Sequence, residues 1–277
     1  MVRYFSIFLL TAGTFLFSGE VSSAAQFDPV KILIVPGHDR QSPGAIYGKV
    51  KEMDMNQALA DKILELLKQD PNFDVHITRD SGGYTKEFQD YFSNNKESID
   101  IFTESSKANM LSNVASGLFT KKENTPHGLA SEDTAFRLYG FNKWVNTNDV
   151  DVVLHVHFND HKRKNRWVKG NRKGFAIYVP DEELVNSGVS RGLAESIFEQ
   201  LKTKYSVSDY YKEMAGVVPD QKLIATGANH TLISSVASIL VEYSYIYEFT
   251  TDKARQNAYE NMSQLTVQGI RDYFETN

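Results

Sequence analysis

Apolar residues in this chain recur at two spacings. Lys31-Ile32-Leu33-Ile34-Val35 is a nearly unbroken apolar, β-branched run stopped by Pro36-Gly37, the pattern of a strand buried on both faces of a parallel sheet. From Asp54, Met55, Leu59, Ile63, Leu66 and Leu67 return at helical spacing until Pro71-Asn72, which predicts a helix and its end. Phe73-Asp74-Val75-His76-Ile77-Thr78 alternates and reads as the next strand. Strand, helix and strand make a βαβ unit with a right-handed crossover.

The periodicity then lapses. Residues from about 81 to 132 are rich in Ser, Asn, Lys and Glu, with room for a helix or two between Ile99 and Phe119. They are read as an insertion of about 50 residues after the second strand. Pattern returns with a helix over Phe136 to Val145 and a β-branched strand over Val150 to His157. A strand follows at Gly174 to Val179, stopped by Pro180, then a helix over Ser190 to Tyr205. The run Val236 to Val241 and a terminal helix marked by Met262, Leu265, Ile270 and Phe274 close the chain. This alternation predicts a single α/β domain: a mostly parallel open sheet flanked by helices, without internal repeat or low-complexity linker.

The first residues follow a different logic. Arg3 precedes an apolar stretch from Tyr4 to Phe17, and Ser22-Ser23-Ala24-Ala25 supplies small residues. Residues 1–25 therefore read as an export signal, leaving 26–277 as the working domain and placing it in the periplasm or outside the cell. The apolar stretch is shorter than the roughly 20 residues a membrane span needs, and no later stretch approaches it, so no stable span is expected after cleavage. The 277 residues are 41% hydrophobic and 23% charged, a globular composition. A net charge of -5 argues against nucleic acid as a partner, because phosphate neutralisation needs a basic face. Without cysteine, disulfides, thiolate metal sites and a cysteine nucleophile are excluded.

In open α/β sheets, ligands bind beyond the carboxyl ends of the strands. His38 lies just past the first strand, Glu52 just before the first helix, His157 at the end of its strand and Glu242 at the end of the last apolar run. Two imidazoles and a carboxylate are a known ligand set for catalytic zinc, with the fourth position left to water. Zinc brings that water to a pKa near 7, and a second carboxylate, for which Glu242 is the candidate, can move its proton. The combination suits hydrolysis of an amide. His155 and His157 share one side of a strand, so a three-histidine site is an alternative, and His155 is otherwise expected to be a supporting or core histidine held by a hydrogen bond. His230 is a candidate for binding a developing oxyanion, or else a solvated loop histidine. Gly188-Val189-Ser190-Arg191-Gly192 matches a serine nucleophile elbow in letters only, because Pro180 ends the strand too early. Ser190 is read as helping to start its helix.

These segments resemble the zinc-dependent N-acetylmuramoyl-L-alanine amidases of bacterial cell walls (amidase type 3). The likeness is carried by Ile32 to His38, Pro43-Gly44-Ala45, Lys51 to Asn56, Thr78-Arg79-Asp80, Asp151 to Asn159 and Val241-Glu242. It implies that His38, Glu52 and His157 are zinc ligands, that Glu242 is the catalytic carboxylate, and that the fold is the family's open sheet flanked by helices. It also implies peptidoglycan as substrate, cut at the amide between N-acetylmuramic acid and L-alanine. Asp39 stands where the family usually has glycine, and Tyr243-Ser244 where it has glycine and phenylalanine. Two other readings remain open: a catalytically silent peptidoglycan-binding or regulatory domain, and a zinc peptidase acting within the stem peptide. Residues 161–173 hold seven lysines and arginines around Trp167. They read as a grip on anionic wall polymers or stem-peptide carboxylates, or as a solvated loop. No activating protein is identifiable.

Overall fold

The computed structural model describes residues 28–120, 122, 131–221 and 228–276; the expected export signal lies outside them. In chain order the elements are β1 (Val30–Pro36), β2 (Ile46–Tyr47), β3 (Val50–Lys51), α1 (Glu52–Lys68), β4 (Phe73–Ile77), β5 (Arg79–Asp80), β6 (Gly83–Tyr84), α2 (Lys86–Asn94), α3 (Lys96–Ala115) and α4 (Glu132–Thr147). There follow β7 (Val152–Asn159), β8 (Ala176–Pro180), α5 (Ser187–Leu201), β9 (Val217–Asp220), a 3-10 turn at Ala228–Thr231, β10 (Ala237–Tyr245) and α6 (Asp252–Thr276).

Six strands form one sheet in the order β4-β1-β7-β10-β8-β9. All neighbours run parallel except β8, which pairs antiparallel with β10. The mostly parallel open sheet is therefore as the sequence predicts. Successive side chains of a strand point to opposite faces, so β1 feeds two cores. Ile32 and Ile34 pack with Met55, Leu59, Ile197 and Ile270 from α1, α5 and α6. Leu33 and Val35 pack with Phe88, Phe141 and Trp144 from α2 and α4. Burial on both sides is what the unbroken apolar run encodes.

Several boundaries differ from expectation. The insertion contains β6, which closes a hairpin with β5 just before it, and the helices α2 and α3. Phe88 of α2 is fully buried under the sheet. Helix α1 starts at Glu52 rather than Asp54, and α5 starts at Ser187, a turn before Ser190. Ser190 does not start its helix. Its Oγ donates to the Asn186 carbonyl at 2.7 Å and accepts from the Ser238 amide at 2.9 Å, tying α5 to β10. With β8 ending at Pro180 and α5 opening at Ser187, no strand-to-helix elbow exists there.

Candidate functional site

The carboxyl ends of β1 and β7 lie side by side, because Val35 pairs with His155 and Pro36 with Val156. Beyond them the chain folds the three ligand candidates together. After β1, His38 takes a left-handed backbone (φ 64°), uncommon for a residue with a side chain and a mark of a position fixed by its surroundings. Those surroundings pin the preceding peptide from three directions. The Gly37 amide donates to the Val156 carbonyl at 2.9 Å, and the Gly37 carbonyl accepts from Asn56 Nδ2 and Arg79 Nη2, each at 2.9 Å. Arg79, nearly fully buried, also donates to the carbonyls of Pro36 and Met53 and to Gln57 Oε1. Glycine at 37 is required by space: a Cβ there would sit 2.2 Å from the His157 ring.

Glu52 opens α1, whose first turn favours negative charge. The hairpin of β2 and β3 folds it back, with the Glu52 amide bonded to the Ala45 carbonyl and the Ala45 amide to Glu52 Oε2, both at 2.9 Å. That leaves Oε1 facing two imidazoles, 3.1 Å from His38 Nε2 and 3.2 Å from His157 Nδ1. One ligand atom from each of His38, Glu52 and His157 lies within 4.8 Å of the others. Tetrahedral donors about 2.0–2.1 Å from a small ion are spaced roughly 3.3 Å apart, so the donor set fits such an ion after small rotations. Burial alone would raise the Glu52 carboxyl, but its hydrogen bonds to His157 and His38 hold it well below the usual carboxylate range. Burial opposes charge on His38, and the Glu52 contact overcomes it, raising the imidazole.

Glu242 pairs in register with His157, one strand away. It is buried, and its Oε2 has no hydrogen-bond partner. Burial first, then the carboxylates of Glu52 and Glu213, push its pKa well above the ordinary glutamate value. A carboxyl in that state holds a proton readily. His155 shares the strand face of His157 but lies deeper, and burial pushes it down to about 3. The hydrogen bond expected of it is not made by Nε2, which lacks a partner. His230 belongs elsewhere: its Nε2 is 3.1 Å from the Ser106 carbonyl oxygen on α3, and its ring meets Tyr139 edge-on.

Two contributors were not foreseen in the sequence. Glu213, buried in the segment between α5 and β9, accepts from Tyr178 Oη at 2.7 Å, Asn159 Nδ2 at 2.8 Å, Tyr245 Oη at 3.1 Å and the Ser208 hydroxyl. Asp39 anchors the His38 loop: Oδ1 accepts the amides of Gln41 and Ser42, and Oδ2 accepts Arg137 Nη1 of α4 at 2.7 Å and Tyr84 Oη at 3.2 Å. Beside this clamp lies a cavity of about 450 Å³ lined by Asp54, Asp61, Arg79 and Arg137, among others.

Comparison with known proteins points in one direction. The profile of the N-acetylmuramoyl-L-alanine amidase family matches residues 32–272. Among solved structures, an N-acetylmuramoyl-L-alanine amidase from Clostridium difficile 630 is 16% identical with a TM-score of 0.54, covering 91% of this chain and 100% of that one. The CwlD amidase of Clostridioides difficile, solved in complex with the GerS lipoprotein, is 19% identical with a TM-score of 0.57, over 90% of this chain and 100% of that one. The amidase Ami1 of Mycobacterium smegmatis is 13% identical with a TM-score of 0.56, over 90% and 99%. At these identities the structural likeness speaks for the fold. No curated protein matches the chain.

Proposed function

The chain belongs to the N-acetylmuramoyl-L-alanine amidase family, and from that membership we propose that it is a zinc-dependent hydrolase cutting the amide between N-acetylmuramic acid and L-alanine in peptidoglycan. The observation that carries the reading is the convergence of His38, Glu52 and His157 within 4.8 Å, with buried Glu242 in register beside His157. His38, Glu52 and His157 would hold the zinc, which supplies electrophilic assistance to the carbonyl and a nucleophilic water at neutral pH.

The chain's own residues do the rest. Glu242 accepts the proton of the attacking water and delivers it to the departing L-alanine nitrogen, a role that fits its place in register beside His157. Arg79 and Asn56 hold the Gly37 carbonyl and so keep the His38 loop in its turn. Glu213 adds negative charge behind Glu242 and keeps it protonatable. Action on a wall polymer agrees with export through the expected signal at residues 1–25. Among the described residues no helix is long and apolar enough to cross a membrane. A silent wall-binding domain has no chemical need for all four site residues.

Digestion of purified peptidoglycan, followed by mass spectrometry of the new ends, tests the reading. Intact stem peptides with free L-alanine amines are expected. New ends within the stem would instead identify a peptidase, and binding without products a silent module.

A further inference from the structure

The loop between β7 and β8 carries seven lysines and arginines and no acid between residues 161 and 173, and the structure sorts them into two sets. Arg163 turns inward. Its Nε and Nη2 bond the two oxygens of Asp160 at 2.7 Å each, Nη2 reaches the Ile46 carbonyl at 3.0 Å, and the guanidinium lies over Tyr47 and Tyr247. Arg172 likewise donates to the Asp209 carbonyl and lies over Tyr210. These two hold the loop. Lys162, Lys164, Arg166, Lys169 and Lys173 are exposed and form no ion pair among the described residues.

The outward set is also held in place. The Gly48 amide donates to the Arg166 carbonyl at 2.7 Å, so the loop is stitched to the β2–β3 turn that leads directly into Glu52. Trp167 stays 60% exposed, with the Arg166 guanidinium 5.0 Å from its ring centre. A shallow depression of about 430 Å³ opens between loop and hairpin, lined by Ile46, His161, Lys162, Arg163 and Arg166, among others. A solvated charge run needs neither this anchoring nor an exposed indole, whereas aromatic and arginine side chains are the ones enriched at interfaces.

We propose that Lys162, Lys164, Arg166, Trp167 and Lys169 form a docking platform for the peptidoglycan strand itself, binding the carboxylates of stem peptides beside the one being cut. This rests on the function proposed above, since the platform adjoins that site. On a chain of net charge -5, a local cluster of cations draws a polyanionic strand to one edge of the molecule, where an overall repulsion would otherwise act. Salt should weaken this attraction.

The test is co-sedimentation with insoluble peptidoglycan, using the full chain carrying Glu242→Ala so that the polymer is not consumed. Combining Lys162→Gln, Lys164→Gln, Arg166→Gln and Lys169→Gln should weaken binding by about tenfold or more, and Trp167→Ala should weaken it by several-fold. Chemical blocking of the polymer's carboxylates should reproduce the loss, while removal of phosphodiester-linked polymers should not. In the otherwise wild-type enzyme, the four substitutions should raise KM for the intact polymer at least fivefold more than for a soluble muramyl-peptide. Unchanged sedimentation with unchanged melting temperature overturns the platform, as does binding that follows phosphodiester content. If sedimentation responds as stated but no muramic acid ends are released, the platform stands and the catalytic reading fails. Release of those ends together with unresponsive sedimentation overturns the platform and leaves the catalytic reading standing.

Discussion

At Gly44 the backbone is left-handed (φ 72°), and an added Cβ would lie 2.5 Å from both Glu52 Oε2 and His38 Cδ2. Gly44→Ala therefore strains the turn and displaces two ligand candidates at once. We expect a loss of about 1–3 kcal/mol in chemical denaturation and a fall in metal affinity by isothermal titration; wild-type values in both would show that the turn does not shape the site. Glu242 supports a prediction with a defined sign. Its unfolded pKa is about 4.3, and burial with its acidic neighbours raises the folded value. The stability this proton contributes is complete below the unfolded pKa and is lost as pH rises towards the folded one. Metal-free Glu242→Gln, permanently neutral, should thus be more stable than the parent by about 1–3 kcal/mol at pH 8, the scale of an unpaired buried polar group. The gap should close near pH 4 in thermal melts under chelator, and a gap independent of pH would contradict the argument. His38, Glu52, His157 and Glu242 are legible as candidates because each lies in or next to a strongly patterned element: His38 just past β1, Glu52 at the start of α1, His157 and Glu242 within β7 and β10. Glu213 and Asp39 are not, because their partners come from elements distant in sequence.

Among the elements, the insertion carries the weakest sequence signal. Helix α3 buries only Ile99, Thr103 and Ser106, so it presents no apolar stripe for periodicity to detect. Strand β9 is four residues long and contains Pro219. The reversal of β8 leaves no trace in its own five residues, all buried, because direction is set by the connections on either side. A mechanical role for α4, the helix that follows the insertion, is visible in the pair between its Arg137 and Asp39 of the His38 loop, both largely buried. Arg137→Ala should cost about 1–3 kcal/mol, the range for removing a partner from a charged hydrogen bond. Because Asp39 also holds the amides of Gln41 and Ser42, those amides should exchange hydrogen faster. Unaltered exchange there would mean that α4 does not brace the loop.

Over the whole molecule, two cores on opposite faces of one sheet hold β1 and β7 in fixed register. That rigidity lets residues as far apart in sequence as His38 and His157 meet on one carboxylate. In the proposed function this meeting point holds one zinc ion, with Glu242 acting beside it without binding it. Zinc content by elemental mass spectrometry of the purified full chain, after dialysis against trace zinc, tests this most directly. One zinc per chain is expected in the wild type and in Glu242→Ala, and none in His157→Ala. Equal zinc in His157→Ala and wild type, or its loss in Glu242→Ala, would contradict it.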